Sequence, residues 1–232
     1  MMPHKAAELL RLDYRDPGKL DTIVELDIGG VQARIVRVPD EPPVLLIRGT
    51  NEAEDWKLWN FLFKPQLQVG AGDTRRWARG FLGYAERIYG FAKLAATTPP
   101  GLSWIIGHSL GGAAAQILGP SLGIKTMTFG SPRPLFDSRP PIGAEMVANH
   151  ILSDDWVTKV PIFWIWPPWR FKFVGAVVSH DAERIAGVGH LSDRHAIERY
   201  HAAALTGGWT IEAPETAGPA RPPEPDDGDG EI

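Results

Sequence analysis

Ser109 is the residue of this chain whose neighbours most suggest a nucleophile. It lies in "IIGHSLGG", residues 105–112, with Gly107 two positions before it and Gly111 two positions after it. Glycine is common in this chain, so roughly 0.1 to 0.2 such matches are expected by chance. A purely structural Gly-Ser turn is therefore the alternative, and the flanking elements have to decide between the two.

The segments around Ser109 predict a turn from a strand into a helix. Residues 102–106 form a short apolar run typical of a buried strand, and "GGAAAQIL" from Gly111 onward is typical of a helix start. A nucleophile elbow has this strand–turn–helix context. Glycines at 107 and 111 remove the Cβ atoms that a tight turn would bring into collision. The context favours a nucleophilic Ser109.

A serine nucleophile needs an acid and a base, which α/β-hydrolases place after it in the order Ser, Asp, His. Asp154 and Asp155 follow the predicted strand 146–152, at the edge where active-site loops gather. We choose Asp155, which opens "DWVTKVP", and interpret Asp154 as a solvated turn residue. Two ordinary turn residues remain the alternative.

The candidate base is one of three histidines, His180, His190 and His195. His195 lies at the start of the predicted last helix, where Asp193 could act as its cap. His190, in the glycine-flanked "GVGHLS", is the rival. Residue positions alone favour His195 and leave His190 open. The other histidines are terminal, beside the serine, in a strand or in a helix: His4, His108, His150 and His201.

An oxyanion hole needs two fixed donors. One is commonly the backbone N–H after the nucleophile, here Leu110, and the other comes from a loop after an earlier strand. Thr50 in "IRGT" follows such a strand and could donate its N–H and its hydroxyl. The alternative for Thr50 is a plain turn before Asn51.

Three tryptophans lie between the proposed acid and base. "FWIWPPWRF", residues 163–171, holds Trp164, Trp166 and Trp169 beside two prolines. We interpret them as a substrate-binding wall or a transient contact with a lipid surface, because indole rings favour the boundary between water and lipid. Packing onto the sheet is an equally open alternative.

The apolar pattern predicts an α/β fold, with a mostly parallel central sheet flanked by helices and an N-terminal β-hairpin. Gly29 and Gly30 form the expected hairpin turn. Asn51 is expected to cap one helix, and Asp73 or Thr74 a longer one that includes Trp77. The predicted strands are 22–28, 31–38, 44–47, 102–106, 124–129, 146–152 and 171–178, and the predicted last helix is 194–205.

Composition indicates one globular domain, residues 1–211, followed by an acidic, Pro/Gly-rich tail, 212–232, that we expect to be disordered. A net charge of −4 without a basic cluster argues against a nucleic-acid partner. Residues 160–169 are too short and too proline-broken to form a transmembrane segment. Residues 1–16 are too polar for a signal peptide, so we expect a cytoplasmic protein, with non-classical release left open.

Taken in order, the motifs resemble the class 3 lipase family, whose members are similar to fungal triacylglycerol lipases with the α/β-hydrolase fold. The resemblance extends over residues 44–205 and is carried by "IRGT", "EDW", "RGFLGYAERI", "IIGHSLGGAAA", "TFGSPRP", "DWVTKVP" and "RHAIERYHAAAL". It implies Ser109 as nucleophile, His195 as base, Asp155 as the acid that orients the base, and Thr50 with Leu110 as the oxyanion hole.

The resemblance implies hydrolysis of acyl esters through an acyl-enzyme, with a lipid or small ester as substrate and with no cofactor or metal. The alternatives are a lidless esterase or phospholipase, or an inactive binding protein with this fold. Two features depart from the family. Arg79 stands where a histidine is common, and residues 58–73 are short for the helical lid of interfacially activated relatives.

Overall fold

The computed structural model describes residues 1–49, 65–67, 75–160, 171–182 and 194–209 of the chain, with backbone alone at 65–67. Several sequence predictions fall outside these ranges. They concern Thr50, the helix from Asn51, the tryptophans Trp164, Trp166 and Trp169, the rival base His190, and the segment 212–232.

The central sheet is mixed and follows the chain order from edge to edge. Strands β1 (Thr22–Ile28), β2 (Val31–Val38) and β3 (Glu41–Ile47) are antiparallel. β6 (Trp104–His108), β7 (Lys125–Phe129), β8 (Val147–Leu152) and β9 (Ala176–His180) continue it in parallel from β3. A separate antiparallel pair joins β4 (Pro65–Leu67) to β5 (Arg76–Ala78). The predicted α/β fold with an N-terminal hairpin is confirmed.

The hairpin turn forms at the predicted residues. Gly29 and Gly30 have φ values of 55° and 79°. A two-residue turn with positive φ at both positions matches the twist of the flanking strands and favours glycine. The alternating pattern of β1 and β2 therefore sets the register, with Ile28 opposite Val31.

Helices cover both faces of the sheet and divide its core in two. α2 (Arg79–Thr97) and α3 (Leu110–Leu122) pack against one face, which includes Leu45, Ile47 and Ile105. α1 (Pro3–Arg15) and α4 (Ile197–Thr206) cover the other, which includes Leu46 and Ile106. Successive strand residues point to opposite faces, so each buried strand serves both cores and is apolar throughout.

Several predicted boundaries are wrong by a few residues. The strand expected at 102–106 is β6, which ends at His108, and the strand expected at 171–178 is β9. Trp77 belongs to β5, and the helix expected from Asp73 or Thr74 begins at Arg79 with Ala78 as its N-cap residue. The last helix begins at Ile197, so its N-cap residue is Ala196 and not Asp193.

The N-terminal helix α1 has no counterpart among the sequence predictions. It begins with a proline in its first turn and buries Ala6, Ala7 and Leu10 in the core that it shares with α4. Proline is common at this position because the N–H groups of the first turn have no partner within the helix. None of the described helices is both long and apolar enough to cross a membrane.

Candidate active site

Ser109 lies at a strained turn between β6 and α3. Its φ of 57° and ψ of −129° are rare for a residue with a side chain. Its N–H donates to the carbonyl of Phe129 over 3.1 Å, which holds the turn against β7. Such strain persists only where the surrounding structure enforces it, and it is concentrated at functional positions. The strand–turn–helix context predicted for Ser109 is confirmed.

Asp155 and His195 are in direct contact across the carboxyl edge of the sheet. Nδ1 of His195 lies 2.8 Å from Oδ2 of Asp155, and the carboxylate is fully buried. The N–H of Val157 donates to Oδ1 over 2.9 Å, where Asp155 caps a 3-10 turn. The carboxylate thus fixes Nδ1 of His195 as the ring nitrogen that donates to it.

Two glycines allow backbone segments to approach this pair and the serine. A Cβ on Gly130 would lie 2.9 Å from Oδ2 of Asp155 and 3.0 Å from Cε1 of His195. A Cβ on Gly49 would lie 2.5 Å from the Cβ of Ser109 and 3.1 Å from its Oγ. The end of β3, where Gly49 lies, is therefore packed against Ser109, and Leu110 follows Ser109 as the first residue of α3.

Tyr200 on α4 adds a third donor to the carboxylate. Its hydroxyl donates to Oδ2 of Asp155 over 2.6 Å and accepts from the N–H of Leu152 over 3.2 Å. Burial, followed by the nearby Asp155 charge, raises the pKa of Tyr200 well above its ordinary value. The phenol is therefore a neutral donor at neutral pH.

A second histidine, His108, packs against His195. The two rings stack with centroids 4.7 Å apart, and Nε2 of His108 lies 2.9 Å from the carbonyl oxygen of His195. Nδ1 of His108 lies 3.1 Å from the hydroxyl of Tyr14 on α1. Burial, with the charge of His195 as a smaller cause, holds the pKa of His108 well below its ordinary value.

Asp154 is the partly exposed turn residue predicted from the sequence, but it is also half of an ion pair. Both of its carboxylate oxygens accept from Arg199 on α4, at 2.7 and 2.6 Å. The same guanidinium donates to the carbonyl of Arg194 over 3.2 Å. One arginine thus binds the loop that carries Asp155 and the loop that carries His195.

Comparison with solved structures finds proteins of similar fold. The Lip2 lipase from Yarrowia lipolytica matches with a TM-score of 0.60 at 19% identity, over 76% of this chain and 78% of the lipase. A triacylglycerol lipase from Penicillium expansum matches with a TM-score of 0.56 at 15% identity, over 90% and 88%. A Rhizomucor miehei lipase in a propeptide complex gives 0.58 at 18% identity, over 78% of this chain and 66% of that chain.

The chain has the fold of the fungal lipases. No protein-family model matches the sequence, and no curated protein matches it either. The resemblance to fungal lipases that the motifs predict is confirmed at the level of the fold. The sequence identities to these lipases are too low to support a conclusion about chemistry.

Within this lipase fold, the side chains that surround the Asp155–His195 pair were not predicted from the sequence. Tyr200, Arg199, His108 and Tyr14 contact partners that are distant in the chain. A weak signal existed, because Arg199 and Tyr200 are adjacent in the quoted motif that contains His195, and His108 adjoins the serine. In the described part of the chain, no group of three or more His, Asp or Glu side chains could hold a metal ion.

Proposed function

We propose that this protein is a serine carboxylester hydrolase of lipase type that cleaves acyl esters, acylglycerols above all. The observation that carries the proposal is the Asp155–His195 pair with its buried carboxylate, together with the strained elbow at Ser109, whose neighbour His108 stacks on His195. A histidine bonded through Nδ1 to a buried carboxylate is the arrangement that a general base needs. The fungal lipase fold supports the choice of substrate class.

The mechanism assigns one role to each residue. Oγ of Ser109 attacks the ester carbonyl carbon while His195 takes the hydroxyl proton at Nε2, and Asp155 stabilises the imidazolium. The N–H of Leu110 and donors of Thr50 bind the oxyanion. His195 then protonates the departing alkoxide, which leaves an acyl-enzyme on Ser109. Water, deprotonated by His195, attacks that ester, and the carboxylic acid leaves as the serine recovers its proton.

Substitution of the nucleophile gives the direct test. Ser109→Ala should fold normally, because the hydroxyl adds little packing, and should lose about 10³-fold or more in hydrolysis of p-nitrophenyl acetate. A fluorophosphonate probe should label the wild-type protein at Ser109 and leave the variant unlabelled. Retention of even a tenth of the activity in Ser109→Ala would contradict the assignment.

The identity of the base is tested by comparing two histidines. His195→Ala should lose as much activity as Ser109→Ala, because residues that act as a unit cost alike when they are removed singly. His190→Ala should lose at most about tenfold, because we assign it no part in proton transfer. The opposite ranking in the same ester assay would transfer the role of base to His190.

A panel of esters from acetyl to oleoyl, assayed as monomers and as emulsions, separates a lipase from an esterase. We propose that Trp164, Trp166 and Trp169 contact acyl chains or the lipid surface. Combined Trp166→Ala and Trp169→Ala substitutions should then reduce hydrolysis of emulsified long-chain esters much more than hydrolysis of a soluble acetyl ester. Equal losses on both substrates would indicate a structural role for these tryptophans.

A further inference from the structure

A continuous set of hydrogen bonds joins the end of β3 to the loop that carries His195. The N–H of Gly49 donates to the hydroxyl oxygen of Tyr14 over 2.6 Å. That hydroxyl lies 3.1 Å from Nδ1 of His108, and Nε2 of His108 lies 2.9 Å from the carbonyl oxygen of His195. The set starts one residue before Thr50 and ends on the backbone of the proposed base.

The chemistry of these groups fixes the direction of each bond. A carbonyl oxygen only accepts, so Nε2 of His108 must carry the proton that faces His195. In the neutral ring Nδ1 is then an acceptor, and the hydroxyl of Tyr14 is placed to donate to it. The same hydroxyl also lies 3.4 Å from the carbonyl of Gly49, a longer and weaker contact. The N–H of Gly49, the hydroxyl of Tyr14, both ring nitrogens of His108 and the carbonyl of His195 thus each have a matching partner.

The neutral form of His108 matters because its ring stacks on His195. During ester cleavage His195 becomes an imidazolium, and a second cation in the facing ring, 4.7 Å away, would oppose that step. Burial of His108 holds its pKa well below the ordinary value, so the facing ring stays uncharged. The hydrogen bond from Tyr14 also requires neutral His108, because protonation of Nδ1 would remove the acceptor.

The N-terminal helix supplies the tyrosine of this set. The ring of Tyr14 is held by the guanidinium of Arg48, whose Cζ lies 4.7 Å from the ring centroid. Arg48 precedes Gly49, so the tyrosine contacts the end of β3 through both its ring and its hydroxyl. α1 thereby contacts the segment next to the proposed oxyanion donor and, through His108, the loop of the proposed base.

We propose that Tyr14 and His108 form a positioning relay that fixes the backbone of Gly49 and the backbone of His195 relative to each other, an inference that rests on the proposed function. Neither residue is assigned a part in proton transfer: Tyr14 contacts His108, and His108 contacts the ring and the carbonyl of His195. The relay makes α1 part of the machinery that aligns the oxyanion donor with the general base. Its loss therefore affects the transition state more than the binding of the ester.

The test compares two Tyr→Phe variants that each remove one hydroxyl from the end of β3. Tyr14→Phe breaks the relay, whereas Tyr84→Phe removes a 2.8 Å donor to the carbonyl of Arg48 from α2, outside the relay. Initial rates on p-nitrophenyl acetate are divided by the number of sites titrated with a fluorophosphonate, so that unfolded protein does not lower the measured kcat. Tyr14→Phe should lose about tenfold or more in kcat with KM within about twofold, and Tyr84→Phe should lose clearly less.

A second pair of variants examines His108 itself. His108→Phe keeps an aromatic ring against His195 but removes both nitrogens, and should lose at least as much kcat as Tyr14→Phe. His108→Gln keeps a side-chain N–H that can reach the carbonyl of His195, and should recover most of the loss. Rescue by Gln distinguishes positioning through this hydrogen bond from simple packing, because Gln packs less well than Phe in the same space.

The outcomes separate the relay from the proposed function. Equal kcat per titrated site in the wild type and Tyr14→Phe, equal losses in the two Tyr→Phe variants, or no difference between His108→Phe and His108→Gln would overturn the relay alone. A wild-type protein that neither reacts with the fluorophosphonate nor hydrolyses the acetate ester would overturn the proposed function and the relay with it.

Discussion

The carboxylate of Asp155 shows how a single buried charge is maintained in this site. The side chain has no exposed surface, so its charge must be compensated by hydrogen-bond donors. Val157 supplies one donor to Oδ1, while His195 and Tyr200 both donate to Oδ2. The oxygen that faces His195 is thus also the oxygen that accepts from Tyr200, so one oxygen joins Asp155 to both side chains.

Substitution of Tyr200 by Phe should therefore reduce catalysis. The variant removes one hydrogen bond to a charged group, worth about 1.5–3 kcal/mol, so kcat should fall by roughly 10- to 100-fold. Tyr89→Phe, on α2, is the matched control and should stay within about twofold of the wild type. Steady-state kinetics on p-nitrophenyl acetate measure both, and an unchanged kcat in Tyr200→Phe would show that the other two donors suffice.

At the residue scale, the sequence predicts candidate reacting groups but not the groups that hold them. Ser109 and Asp155 are predicted from their positions after strands, whereas His195 is favoured by its position and chosen over His190 only through the family resemblance. The contacts of Tyr200 with Asp155 and of Tyr14 with His108 join residues that are 45 and 94 positions apart in the chain. Such pairs depend on how α1 and α4 pack across the sheet, which no local spacing rule encodes.

Helix α4 acts as a rigid support for two loops at once. Arg199 is almost fully buried, and it binds the carboxylate of Asp154 and the carbonyl of Arg194. Asp154 is more exposed, with 26% of its side chain accessible against 3% for Arg199. The proximity of Arg199 lowers the pKa of Asp154, so the pair is charged at neutral pH.

The two partners of this ion pair should differ in what their removal costs. Asp154→Ala leaves a buried guanidinium without its carboxylate and should lower the free energy of unfolding by about 3–5 kcal/mol. Arg199→Met leaves a carboxylate that water can reach, so its loss should be smaller. Urea unfolding of both single variants and of the double variant measures the coupling, which should be about 1–3 kcal/mol. Strictly additive losses would contradict a specific pair.

At the element scale, the sequence predicts what periodicity encodes. The β1–β2 hairpin was predictable because alternation and the Gly29–Gly30 turn are local signals. Trp77 was assigned to the wrong element because β5 is short and is defined by its pairing with β4 and by a bridge to Leu135. The start of α4 was misplaced because its N-cap residue, Ala196, makes no side-chain cap, so no capping signal marks it.

Across the whole molecule, the stability depends on histidines that folding keeps neutral. His150 on β8 and His180 on β9 lie with Nδ1 and Nε2 3.3 Å apart, and both rings stack on Trp209, after α4. Burial is the first cause that lowers the pKa of His150 to about 3 and of His180 to about 4. The two strands and the chain after α4 are therefore joined by a cluster that does not accept protons readily.

This cluster predicts that the protein becomes less stable as the solution is acidified below pH 6.5. The unfolded chain binds protons at its histidines with a pKa near 6.5, whereas folded His150 and His180 stay neutral down to about pH 4. Between these two pH values proton binding therefore stabilises the unfolded state and lowers the free energy of unfolding. At pH 5 the linkage at His150 alone amounts to about 2 kcal/mol. The contribution of His180 should be smaller, because it is only partly buried and its pKa is lowered less.

The measurement is the free energy of unfolding in urea at pH 7, 6 and 5, above the range where most carboxylates titrate. His150→Phe keeps a ring between Phe129 and Trp209 and should be less sensitive to pH than the wild type, whatever its stability at pH 7. His4→Gln, on α1, is the matched histidine control and should keep the wild-type slope. If His150→Phe kept the full slope, or if His4→Gln removed an equal share of it, the acid sensitivity would have to arise elsewhere. Among the described histidines, His108 and His201 also have pKa values that burial lowers. If His108 supplied the sensitivity, acidification would disturb the candidate site together with the fold.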